Sequence, residues 1–264
     1  MGRRRLMHIR FALVLAAYLA IGTLYAAYTP RWQVPDEPAH YNYIRALAEG
    51  RGLPVLEVGD YDQDLLSTLT AQRFPPELSV AALEYEDHQP PLYYLMATPI
   101  YWLFHGALFP LRLFTVLLGA ALLVVAHATV RTLFPAQPSL ALLATALIAF
   151  LPQHVAMAAG VNNDVLGELA LAAVLWALAR YLTRRTQPVW LVGVWLGVAL
   201  LAKTTAYIGL GLGALAIVMR ARAERRPWLW VHDQGTLMAV PALLLSGAWF
   251  IRNALIYGWG DPLG

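Results

Sequence analysis

The 264-residue chain contains no cysteine. That absence excludes disulfides, thiolate metal sites and cysteine nucleophiles together. Charge is scarce as well: 13% of the residues are charged, whereas soluble domains carry about 25%. Such a deficit leaves too little polar surface to wrap a water-soluble globule. No basic patch is interleaved with aromatics in the way that binds nucleic acid, so nucleic acid is not an expected partner. Internal repeats and low-complexity stretches are missing too.

What the chain has in excess is apolar: 59% of it is hydrophobic and the mean hydropathy is +0.54. Apolar runs of about 18–20 residues recur, the length that crosses a hydrocarbon core of roughly 30 Å. The fold class is therefore all-α integral membrane. Runs at 11–28, 111–130, 139–158, 165–182, 189–202, 204–219 and 236–255 suggest seven transmembrane helices. The fifth and sixth are short, as in a tight hairpin or in spans tilted through thinned lipid. The first follows Arg3-Arg4-Arg5 and is longer than the roughly 7–15 residues of a signal-peptide core, so it reads as an uncleaved helix.

Charge sets the expected orientation. With a cytoplasmic N-terminus and Leu92–Phe109 lying along the interface, twelve of the nineteen basic residues face the cytoplasm. They are Arg3, Arg4, Arg5, Arg10, Arg131, Arg180, Arg184, Arg185, Arg220, Arg222, Arg225 and Arg226. Only Glu224 and Asp233 join them among the acids. This obeys the positive-inside rule in every cytoplasmic loop, and a full span at Leu92–Phe109 would reverse it. The long segment 29–91 is then extracytoplasmic. Within it a surface helix starts at Asp36 or Glu37, has Pro38 in its first turn and ends at Gly50. Ile44, Leu47 and Ala48 form its apolar stripe. The stretch from Val55 to Glu86, with Pro75-Pro76 inside it, reads as irregular.

This topology delivers unusual polar residues to one membrane face. Asp36-Glu37 follow the first span, and Asp87-His88 precede Gln89-Pro90-Pro91. Asn162-Asn163-Asp164 occupy a later turn, with Glu168 one helical turn beyond Asp164 on the same face. Lys203 sits in the outer turn of the short hairpin, and Arg252-Asn253 end the last span. Charged groups at membrane depth are costly and point to function. Each also has a plainer reading. Asp36, Asn163 or Asp164 could serve as helix caps, Lys203 could snorkel, and His105, His127 and His154 suit packing. The plain readings do not account for the shared side.

The order Pro35-Asp36-Glu37-Pro38-Ala39-His40-Tyr41, then His88-Gln89-Pro90-Pro91-Leu92-Tyr93-Tyr94, Asn163-Asp164, Lys203, and Trp249-Phe250-Ile251-Arg252-Asn253 with Tyr257-Gly258 resembles the GT-C glycosyltransferases. These are relatives of protein O-mannosyltransferases and lipid A aminoarabinose transferases. The resemblance implies a GT-C-like transmembrane domain over 1–264, with an extracytoplasmic loop and interfacial helices at 29–110. It implies an inverting transfer from a polyprenyl-phosphate-linked sugar to a lipid, glycan or protein acceptor, at the outer face of the plasma membrane. By analogy Asp36 is the base and Glu37 its acidic neighbour, with Asp87 and His88 as further catalytic candidates. Lys203 and Arg252 would hold the donor phosphate, supported by Asn163, Asp164, Glu168 and Asn253. No cofactor is required. A divalent metal on Asp36, Asp87 or Asp164 would suit their chemistry, but carboxylates at these spacings do not establish one.

Two departures from the family pattern stand out. Gln89 separates His88 from the prolines, where many relatives have His-Pro-Pro. The chain also stops at Gly264, where such enzymes usually continue, so a missing C-terminal remainder is expected. The rival readings are a transporter or lipid flippase and a non-catalytic envelope protein. Transporters tend to place ionisable groups near the midplane between repeats, and here the span centres are nearly free of charge.

Overall fold

In a computed structural model, which describes residues 2–183 and 187–263, the chain folds as helices, with no strand among the described residues. Four long helices are apolar enough to cross a membrane: α1 (Gly2–Tyr28), α5 (Leu108–Leu133), α8 (Asp164–Thr183) and α11 (Trp228–Tyr257). A fifth candidate, Thr204–Ala223, combines a 3-10 turn (Thr204–Tyr207) with α10 (Ile208–Ala223). The expected short sixth run is therefore a 20-residue element.

Two spans differ further from the sequence reading. The run 139–158 divides into α6 (Pro138–Ala149) and α7 (Pro152–Ala158), bent by 64°. Pro152 has no N–H to continue the ladder, and its ring opposes the carbonyl four residues back. Counting the bent pair as one span gives up to six candidates in place of seven. The remaining apolar helix, α9 (Trp190–Ala202), has 13 residues. At 1.5 Å per residue it reaches roughly 20 Å, short of a hydrocarbon core of roughly 30 Å.

Helix α8 packs between α5 and α9, and α9 lies along α11. Gly193 and Gly197 make the last contact close. A Cβ on Gly197 would stand 3.0 Å from the Ala242 carbonyl oxygen, and one on Gly193 would overlap the Met238 carbonyl. Small residues four apart let backbones approach where apolar surroundings supply no hydrophobic drive.

A polar layer caps one end of the bundle. Helix α2 (Glu37–Ala48) has Pro38 in its first turn and buries Tyr43 and Ile44 completely, close to the predicted helix. Helix α3 (Gln63–Ala71) arises in the stretch expected to be irregular. The Asp62 side chain accepts the Leu65 N–H at 2.9 Å to start it, and Leu69 is fully buried. Helix α4 (Leu92–Leu103) has only 12 residues and stops before a turn at positive-φ His105 and Gly106. The segment Leu92–Phe109 is thus no continuous span, as the charge argument requires. Tyr94 on α4 stacks on Tyr43 of α2 with ring centroids 3.7 Å apart.

Arginines gather at the opposite end. Arg131, Arg180 and Arg220 lie in last turns there, and Arg222, Arg225 and Arg226 surround the next connection. Arg220 donates to the Tyr181 carbonyl at 3.3 Å and lies 4.4 Å over that ring, which joins α8 to α10. Arg184 and Arg185, assigned to this end by sequence, lie outside the described residues.

Candidate active site

Asp36 and Glu37 are adjacent in sequence and opposite in environment. Asp36 holds φ at +60° in the left-handed region, which Asp tolerates better than most residues. That twist turns its carboxylate outward while Glu37 is fully buried. Asp36 occupies the N-cap position but its side chain makes no cap hydrogen bond. It accepts instead from the Tyr85 hydroxyl at 2.9 Å. The plain capping role is not what its carboxylate performs.

Glu37 is saturated. Its Oε1 accepts from Arg112 Nε at 2.7 Å and from the Val161 amide at 3.1 Å. Its Oε2 accepts from Arg112 Nη2 at 2.6 Å and from the Trp32 amide at 3.0 Å. Four donors match the roughly four acceptor positions of a carboxylate. Arg112 spends its remaining hydrogens on the carbonyls of Ala26, Thr29 and Pro30. One buried ion pair thereby fixes α2, α5, the end of α1 and the turn before α8 to one another.

The loop 85–89 forms a second network. His88 Nδ1 lies 3.1 Å from the Tyr85 carbonyl oxygen, an acceptor only, so Nδ1 carries the proton. Nε2 is then free to accept from Gln89 Nε2 at 3.2 Å. Gln89 Oε1 accepts from Asn163 Nδ2 at 3.0 Å, and Asn163 also donates to the Ala202 carbonyl at 3.2 Å. The glutamine that departs from the family pattern therefore links the loop to the turn before α8 and to the end of α9. Burial, with Lys203 adding to it, pushes the His88 pKa down. His40 behaves likewise: burial, then Lys203 and His88, push it down to about 3.

Two carboxyls in this loop shift the other way. Burial, reinforced by Glu84 and Asp60, pushes Asp87 up to about 8. Burial and then Asp36 push Glu86 up to about 7, against a hydrogen bond from Gln89 and the charge of Lys203. Asp87 thus belongs to a surrounding of Glu84, Asp60 and Arg51, while Glu86 belongs with Asp36 and Lys203.

Lys203, the only lysine of the chain, is an ion-pair partner of Asp164 at the start of α8. Gly167 makes room for it, since a Cβ there would stand 3.0 Å from Lys203 Cβ. Asp164, Glu168, Lys203 and Thr205 share a pocket of about 320 Å³ with Leu171 and Ala206. Glu168 is partly exposed and its Oε2 lies 3.9 Å from His154 Nε2. Arg252 is committed elsewhere. It donates to the carbonyls of Leu53 at 2.9 Å and Pro54 at 2.5 Å, and lies 4.8 Å over the Trp249 ring. Asn253 is fully buried and donates to the Leu263 carbonyl at 3.2 Å, while Tyr257 accepts the Leu56 amide at 2.9 Å.

The fold therefore brings Asp36, His88, Asn163, Asp164 and Lys203 into one neighbourhood, and sets Glu37 and Asp87 to other partners. Glu86 and Tyr85 join that neighbourhood without having been singled out by sequence. The one signal for them was adjacency to Asp87-His88. Among the described residues no group of three or more His, Asp or Glu side chains is placed to hold a metal ion.

A family model described as dolichyl-phosphate-mannose-protein mannosyltransferase matches residues 88–249. The matched stretch runs from His88 through Asn163, Asp164 and Lys203 to Trp249, and does not reach Asp36. Neither a curated protein nor a solved structure matches the chain.

Proposed function

The chain belongs to the dolichyl-phosphate-mannose-protein mannosyltransferase family, a GT-C membrane glycosyltransferase family, and on that premise we propose that it moves a sugar from a polyprenyl-phosphate carrier to an acceptor hydroxyl, with inversion, at the outer face of the plasma membrane. The observation that carries this reading is that the exposed Asp36 carboxylate, held by the Tyr85 hydroxyl, lies at the same end of the bundle as Lys203, the ion-pair partner of Asp164. Asp36 removes the acceptor's proton as the acceptor oxygen attacks the anomeric carbon. The bond from that carbon to the phosphate oxygen breaks, and its electron pair stays on the lipid phosphate. Lys203 balances the charge that gathers there, in a setting where partial exclusion of water strengthens the attraction.

The pocket beside Lys203 suits the join between a phosphate and a prenyl chain, because Leu171 and Ala206 line it next to the polar groups. Glu37 organises the site through Arg112. Asp87, whose carboxyl burial pushes up to about 8, and His88, held by Tyr85 and Gln89, shape the loop that bears Tyr85. Arg252 anchors the 53–56 segment beside the site and supports the phosphate site from there. Asn163, Asp164, Glu168 and Asn253 position their neighbours.

Incubating membranes that contain the chain with radiolabelled polyprenyl-phosphate sugars tests the reading. Label should move to an acceptor with the intact chain and fail to move with Asp36→Asn. Transfer by the variant at the intact chain's rate refutes it. Replacing Lys203 with Met should weaken donor use by about 1.5–3 kcal/mol, the loss of one charge-assisted contact. An unchanged donor KM would return Lys203 to structural pairing with Asp164.

Orientation has its own test. The acidic end should face outward and the arginine end the cytoplasm. Cysteines introduced at the exposed positions Ser67 and Ser79 should react with an impermeant thiol reagent on intact cells, and one at exposed Ala223 should not. With no native cysteine the background is clean. Reaction at Ala223 alone would invert the assignment.

A further inference from the structure

The pocket beside Lys203 has a second cavity below it on the same helix. Asp164, Glu168 and Leu171 of α8 line the first, and Leu175, Leu178 and Leu182 line the second, which holds about 330 Å³. Their spacing alternates four and three residues, so all six share one face of α8. Helix α10 sets Leu212, Leu215 and Met219 on the second cavity, below Thr205 and Ala206 on the first. Both helices end at the arginine end of the bundle, so the cavities follow one another down one pair of walls. One helical turn separates them, between Leu171 and Leu175. Gly209 is the α10 residue beside that step: a Cβ on it would stand 3.6 Å from Leu171 Cδ1. It has no side chain to close the passage.

Apolar rows at heptad spacing on neighbouring parallel helices ordinarily interlock and leave no space between them. Here they do not: Leu175 stays 42% exposed, Leu215 54% and Met219 52%. Nor does the second cavity suit a polar guest. Thr129 is the one polar residue in its lining among the described residues, and its hydroxyl already donates to the Val125 carbonyl at 2.9 Å. What fits is hydrocarbon. Length separates the sources of hydrocarbon. From Glu168 to Leu182 the shared face of α8 extends roughly 21 Å at 1.5 Å per residue. One leaflet supplies about half of a core of roughly 30 Å. A chain held by its phosphate beside Lys203 would pass the midplane before it filled the second cavity. An acyl chain of the outer leaflet ends near the midplane, whereas a long isoprenoid continues.

We propose that the two cavities form one track for the donor's isoprenoid chain, which descends from the phosphate at Lys203 between α8 and α10 and ends against Thr129 and Leu133 of α5. The inference rests on the assignment of the donor phosphate to Lys203, and it adds the part of the site that tells a long carrier from a short one. Leu178 and Ala216, both buried, form the floor of the track, while Leu215 and Met219 form its open rim. The chain enters sideways from the bilayer and threads no pore. Each isoprene unit inside the track exchanges lipid contacts for contacts with packed helices. Affinity therefore grows with chain length until the chain reaches Leu182 and Met219, and is flat beyond them.

The test uses the full chain in lipid nanodiscs and two phosphodiester probes, geranyl methyl phosphate and pentaprenyl methyl phosphate, each with a diazirine on its last isoprene unit. After photolysis the geranyl probe should label the surroundings of Leu171 and Ala206, and the pentaprenyl probe those of Leu182 and Met219. Leu215→Trp and Met219→Trp add bulk from the exposed rim. Each should weaken the pentaprenyl probe about tenfold, the scale of a misfit in an apolar pocket, and leave the geranyl probe unchanged. If the pentaprenyl probe labels Leu182 and Met219 no more than Leu244, an exposed residue of α11, the chain lies in bulk lipid and the proposal is overturned. An unchanged pentaprenyl Kd in both variants also overturns it, and a bilayer lipid then owns the lower cavity. Labelling is read on the wild-type chain, so it decides the matter even if both variants misfold. Lys203→Met separates the premise from the inference. Full geranyl binding without the lysine defeats the phosphate assignment itself, whereas weak geranyl binding there, with an unlabelled lower cavity in the wild type, defeats the track alone.

Discussion

Asp36→Asn is expected to lower turnover by about two orders of magnitude or more while donor binding survives. A positioned general base contributes about 10²–10⁴-fold, and Asn keeps the shape of Asp without its capacity to take a proton. The substitution is well controlled by the local structure. Asn accepts the left-handed conformation at φ +60° as readily as Asp, and its carbonyl oxygen can still accept from Tyr85. The side chain makes no cap hydrogen bond that could be lost. A fall in kcat with an unchanged donor KM is therefore the expected split, measured with a verified donor and acceptor. Turnover near the wild-type rate would remove Asp36 from the chemistry.

Glu37→Gln, one residue away, should act on a different quantity. The change leaves the Arg112 guanidinium with three backbone carbonyls and no counter-charge, in a position where both side chains are shielded from solvent. Breaking one side of a buried ion pair costs about 3–5 kcal/mol, because the charge left behind has no partner. The variant should unfold at clearly lower temperature in a thermal assay of the solubilised protein, and Arg112→Met should do the same by stranding the carboxylate. Removing both charges together should cost less than the sum of the single changes, since neither member is then left buried alone. Wild-type stability in Glu37→Gln would contradict the clamp. The pair of neighbouring variants thus separates a turnover effect from a stability effect.

Much of the candidate site was legible in the sequence as a set of positions. The motif residues at 36, 88, 163, 164 and 203 do converge, and the order of motifs identified the glycosyltransferase class that the family match bears out. Residue roles were less legible. Arg252 was read as a phosphate ligand because Arg at a helix end suits phosphate chemistry, yet its guanidinium holds the carbonyls of Leu53 and Pro54, nearly two hundred residues away in sequence. Gln89 looked like a loss relative to His-Pro-Pro and turns out to connect His88 to Asn163. Glu86 carried no motif at all.

The sequence by itself determined the membrane class, the helical fold and the gathering of acids at one end and arginines at the other. Those are solvent-partition properties: hydropathy over about 20 residues and the sign of charge in each connection suffice to decide them. It also argued against a span at Leu92–Phe109, because a crossing there would separate the later arginine clusters from the arginines of the N-terminus, and the 12-residue α4 agrees. Only the tertiary structure decided which carboxylate is buried in an ion pair and which is exposed. Asp36 and Glu37 are chemically alike and adjacent. What distinguishes them is a positive φ at one and, at the other, an arginine 75 positions away and a backbone amide 124 positions away. Likewise Asp87 and Glu86 are neighbours whose carboxyls answer to different charges. Burial and the nearest ion set a carboxylate's role, and both are properties of the packed chain.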